Sequence, residues 1–176
     1  MKRSTGLPLK PLTADAMLIG AAMMISYVEA VLPLDFIVLP GVKLGLANLA
    51  VMIAFFTLGA ADAAIVSIIR VILCGMLFGN GMSMIFSLLG ALFAFVGLIV
   101  YRRALQRVLS PIGASILCAV LHNVGQLIAA GLVLSDGAVI SYAPVMLCAS
   151  VVCGGINGML LIMIMRALPE VKENEK

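Results

Sequence analysis

MSMIFSLLGALFAFVGLIVY, residues 82–101, runs for twenty residues without an Asp, Glu, Lys or Arg. A helix needs about 20 apolar residues to cross a bilayer core, where each backbone polar group must find its partner within the segment. This stretch therefore reads as a membrane-crossing helix, and it sets how its neighbours are parsed. Similar runs precede it at 14–32, 44–60 and 63–78 and follow it at 112–134 and 139–166. Of the 176 residues, 64% are hydrophobic and 11% charged, and the mean hydropathy is +1.24, values that exclude an ordinary soluble domain. The expectation is an all-α integral membrane protein, a six-transmembrane-helix bundle. Its single membrane domain covers 14–166, between tails at 1–13 and 167–176.

Breaks between the runs have local causes. Pro33 stops the first run, and the stretch after it, PLDFIVLPGVK, is apolar yet carries two prolines and Gly41. That pattern suggests a loop tucked into the protein or lying at the interface, with a substrate lid as one use. Gly59 and Asp62 mark a tight turn, with Asp62 expected as the N-cap of the third helix. GNG at 79–81 and Ser135-Asp136-Gly137 break the chain again. The last run contains Pro144, Gly154, Gly155 and Gly158, which predicts a kink.

Charge gives the orientation. Nine of the eleven Lys and Arg residues lie in the N-terminal tail (Lys2, Arg3, Lys10), the fourth connection (Arg102, Arg103, Arg107) or the C-terminal end (Arg166, Lys172, Lys176). With six crossings these all fall on one side, and the positive-inside rule places both termini in the cytoplasm of a multi-pass plasma-membrane protein. The opposite side has Lys43.

Several chemistries are excluded. No basic tract is interleaved with aromatics and Trp is absent, so a nucleic-acid surface has no support. Cys74, Cys118, Cys148 and Cys153 form no CxxC pair, which leaves no disulfide framework or zinc site. Asp15, Asp35, Asp62 and Asp136 are isolated and make no magnesium-binding cluster. A GxxxxGK[ST] loop is missing, and the single histidine, His122, has no carboxylate at a spacing that would orient it as a catalytic base. No catalytic residue, metal or cofactor is expected, and active transport would need an external engine.

Ionisable groups inside hydrocarbon cost about 3 kcal/mol or more, so each calls for a partner or a function. Arg70 sits mid-run in IVSIIRVIL; His122 lies in LHNVGQ with Asn123 beside it and Gln126 four residues on; Glu29 is in the first run, and Lys43 precedes the second with Asn48 just beyond. Residues at i and i+4 share a helix face, so His122 and Gln126 point the same way and Asn123 covers the adjacent stripe. A polar pocket open to the outside and lined by Glu29, Lys43, Asn48, Arg70, His122, Asn123 and Gln126 is the simplest common account. The alternative pairs Arg70 with Glu29 and uses His122 and Asn123 as interhelical glue. As a pocket, Arg70, Lys43 and His122 make it donor-rich, suited to a small molecule with carboxylate, phosphate or carbonyl oxygens.

GVKLGLAN (residues 41–48), RVILCGMLFGN (residues 70–80) and AVLHNVGQLIAA (residues 119–130) give the chain a resemblance that covers nearly the whole membrane part. It resembles the Gx transporter family, also labelled heptaprenyl diphosphate synthase component I. That resemblance implies a six-helix protein similar to the S components of energy-coupling factor (ECF) transporters, which bind a vitamin-like substrate while a separate T component and two ATPases supply the drive. Small residues on the first helix, Ala16 with Gly20 and Ala22 with Ser26, suit docking to such a partner. The other label implies a non-catalytic membrane accessory subunit that partners a soluble prenyl synthase in making a long isoprenoid diphosphate for menaquinone.

Overall fold

The computed structural model describes residues 9–31, 45–77, 79, 81–134, 141 and 143–167, the side chains of 9–12, 29–31 and 134 excepted. Six α-helices account for nearly all of them: α1 (Leu9–Val31), α2 (Asn48–Thr57), α3 (Ala60–Leu77), α4 (Gly81–Val100), α5 (Pro111–Leu134) and α6 (Ala143–Ala167), with one π-helical turn (Tyr101–Leu105) extending α4. By length and composition four of these can cross a membrane, at Ala60–Leu77, Gly81–Leu105, Pro111–Val133 and Ala143–Ala167. The protein is thus an all-α membrane protein.

The helix ends depart from the sequence expectation where glycine or proline decides them. Gly59, at φ +126°, ends α2: its N–H donates to Ala54 O at 2.9 Å, and its carbonyl accepts from Ala63 N at 3.1 Å to begin α3. Only glycine holds that backbone without strain. Asp62 falls inside the first turn of α3 instead of capping it, where its negative charge faces the positive end of the helix dipole. Gly45, at φ +72°, precedes a turn in which Asn48 N donates to Gly45 O at 2.9 Å and Leu49 N to Leu46 O at 2.9 Å. As a result α2 has only 10 residues, about 15 Å at 1.5 Å per residue, or half a bilayer core. Pro11 and Pro144 both lie in the first turn of their helices, where the missing N–H would have no intrahelical partner anyway. At that position Pro144 removes no hydrogen bond from the interior of α6. The expected lid stretch at 33–43 falls outside the described residues, apart from the glycine turn that follows it.

The apolar core sits at one end of the bundle, the end where α2 turns into α3. Leu49, Met52 and Phe55 of α2 meet Ala63 and Val66 of α3, Leu98 of α4, Tyr101 of the π-turn, Ala114 and Cys118 of α5 and Leu161 of α6. Phe56 packs edge-on against Phe55 at 5.6 Å and against Tyr101 at 5.9 Å, and the Arg102 guanidinium lies 5.6 Å from the centre of the Phe55 ring. The π-turn thus carries its arginine over an aromatic face, a cation–π contact. Elsewhere along α4 and α3 many large apolar side chains face outward, among them Leu92, Val96 and Ile68, as lipid contact requires.

Helix contacts rest on missing side chains. A Cβ on Gly154 or Gly158 of α6 would stand 2.7 Å from the Cα of Ile116 or Ile112 of α5, and one on Gly125 of α5 would stand 2.6 Å from Leu89 O of α4. Backbone therefore touches backbone on both flanks of α5. In lipid, where burial of apolar surface gives helices little reason to associate, this close packing is a main source of attraction.

Candidate functional site

Polar side chains are buried mainly beyond the apolar core, toward the opposite end. Along α5, the stripe Ala114, Cys118, His122, Gln126 and Ala129 faces the bundle interior, each residue 5% exposed or less. Its first two members belong to the apolar core; one turn further on the chemistry changes to imidazole and amide. The i and i+4 spacing brings Gln126 Nε2 to 3.2 Å from His122 Nε2. Gly90 of α4 makes room for the ring, since a Cβ there would sit 2.7 Å from His122 Cε1.

Asn123 turns away from this pair toward α6. Its Nδ2 donates to Ser150 Oγ at 2.6 Å and to Met146 O at 3.2 Å, and the Ser150 hydroxyl donates to Met146 O at 2.7 Å. That is an interhelical clasp between α5 and α6. Ser150 had no place in the sequence expectation; one hydroxyl in an apolar run is a weak signal.

Arg70 is 7% exposed near the middle of α3, and its Nη2 donates to Asn48 Oδ1 at 3.3 Å. Asn48 opens α2, so a guanidinium and the positive end of a helix dipole meet inside the bundle. Asn157 of α6 reaches the same turn, where its Nδ2 donates to Gly45 O at 3.2 Å. Of the seven residues expected to line a pocket, Arg70 and Asn48 are joined to each other, His122 and Gln126 are joined to each other, and Asn123 is engaged between helices. The Glu29 side chain and Lys43 lie outside the described residues. No group of three or more His, Cys, Asp or Glu residues able to hold a metal occurs among the described residues.

A family model described as heptaprenyl diphosphate synthase component I matches residues 18–164. The chain belongs to that family. Component I is the accessory part of the synthase and not itself catalytic. The matched region takes in both buried pairs, the Asn123 clasp and the glycine contacts of α5. No curated protein and no solved structure matches the chain.

Proposed function

We propose that the chain is a substrate-binding membrane component of the ECF type, which captures a small vitamin- or cofactor-precursor-like molecule, with isoprenoid and quinone precursors included. In this reading six crossings form one membrane domain over 14–166 in the plasma membrane, and the tails at 1–13 and 167–176 lie in the cytoplasm. The observation that carries the proposal is the burial of Arg70 within an apolar bundle, hydrogen-bonded to Asn48, at a depth where a charge is costly unless it serves a site. Glu29, Lys43, Asn48, Arg70, His122, Asn123 and Gln126 are the residues assigned to that site, with Asn123 acting through the α5–α6 clasp. The outer surface of α1 exposes Ala16, Gly20 and Ala21, a small-residue face suited to a T component helix.

Purification of the tagged chain from its native membrane, with mass spectrometry of the proteins and small molecules that accompany it, tests this proposal. A T component with ATPases, together with a retained small molecule, supports capture. A chain that retains no small molecule overturns it.

The family description favours a second role, as a membrane accessory subunit that partners a soluble prenyl synthase. For that role the synthase should lose rate or product length when this chain is removed, and unchanged products would exclude it.

A further inference from the structure

We propose that the side-chain carbonyl of Gln126 is a specificity determinant that reads a hydroxyl or N–H donor on the captured molecule. This rests on the capture role above and narrows its substrate class. The molecule carries a hydrogen-bond donor, and not only the anionic or carbonyl oxygens that Arg70 would select.

The geometry begins with His122. With the Gln126 amide nitrogen turned to the ring, as in the 3.2 Å contact between Gln126 Nε2 and His122 Nε2, the ring nitrogen accepts and the imidazole proton lies on Nδ1. The ring lies close over the bare α-carbon of Gly90, where a Cβ would stand 2.7 Å from Cε1, and this limits its movement. Gln126 is thereby oriented, with its NH2 group committed to the ring. Its Oε1 is buried with no hydrogen-bond donor, in a residue 4% exposed. Leaving a buried carbonyl unsatisfied costs about 1–3 kcal/mol, so the position favours a molecule that brings a donor. The residue lies two turns beyond Cys118, where the apolar core ends and the polar half begins.

His122 is the sole histidine of the chain, so 15N-histidine labelling yields one imidazole spectrum. The full chain in detergent micelles is expected to show the Nδ1–H tautomer, and Gln126→Glu, which replaces the donating NH2 with an acceptor, is expected to shift the ring toward Nε2–H. An Nε2–H or doubly protonated ring in the wild-type chain would overturn the proposal, because Oε1 would then be occupied by the ring. An Nδ1–H tautomer that persists in Gln126→Glu would overturn it too, since Gln126 would not be what orients the ring.

The second measurement compares the small molecules released by heat from wild-type and Gln126→Leu chains purified from the native membrane. At least a tenfold loss of a compound bearing O–H or N–H is expected in the variant; equal retention overturns the proposal. If the wild-type chain releases nothing, the capture role itself fails and takes this proposal with it. A wrong tautomer sinks only the role of Gln126.

Discussion

The two ends of the bundle are built on different principles. At the α2–α3 turn end, side chains from five helices fill most of the interior with methyl, thioether and aromatic groups, with Asp15 and Ser115 buried beside them, and Met52, Leu98 and Leu161 are among the most completely buried. Toward the other end, beyond the ten residues of α2, guanidinium, imidazole, amide and hydroxyl groups of α3, α5 and α6 are buried beside Val71, Ala129 and Met146. Polar burial at this cost suits recognition better than cohesion. Under the capture role proposed above, stability and binding fall to separate halves of one small bundle, so a substitution is expected to disturb one with limited effect on the other.

That division can be broken, and the largest effect should come from its apolar half. Met52→Ala leaves a cavity in the core and is expected to cost about 3 kcal/mol of stability, read as a lowered melting temperature in detergent, with the amount of captured molecule per folded chain unchanged. Arg70→Met is the converse. It should lower capture about 100-fold, equivalent to about 2.7 kcal/mol, while shifting the melting temperature less than Met52→Ala does. If Arg70→Met melts the protein and spares capture, the polar half is structural and the division is wrong.

Smaller effects sharpen the boundary. Gly154→Ala forces the α5 and α6 backbones apart and should cost about 1–3 kcal/mol, visible in the same melting experiment. Asn123→Leu removes the clasp to Ser150 and Met146 and should cost about 0.6 kcal/mol and at most about 1.7 kcal/mol. A loss of capture far beyond that loss of stability would move Asn123 from the clasp into the binding surface itself.

Much of the fold could be read from residues alone, because a run such as 82–101 has no other stable solvent. The runs that became α3 to α6 were legible for that reason, as was the meeting of His122 with Gln126, which follows from helical pitch. The end of α2 was harder: a start at 44 was expected from hydropathy, whereas the turn at Gly45 places it at Asn48. A positive φ is a backbone property, and an apolar run does not disclose which of its glycines will adopt it. The pairing of the buried polar groups was less legible still. Arg70, His122 and Asn123 look alike as polar interruptions, yet they find different partners on α2, α5 and α6, and these pairings depend on helix rotation and crossing, which the sequence pattern does not specify.

The missing side chains along α5 also have a mechanical consequence. Where Gly125, Gly154 and Gly158 let main chains touch, no side chain lies between the helices at those points to absorb a sliding motion. Helices α4, α5 and α6 should behave as one stiff plate. The opposite side has a softer seam: α3 meets α4 through the flexible Met84 side chain against Gly75. If the capture role proposed above holds, a molecule admitted to the interior is expected to enter past α3, on the side where a side chain and not backbone fills the contact.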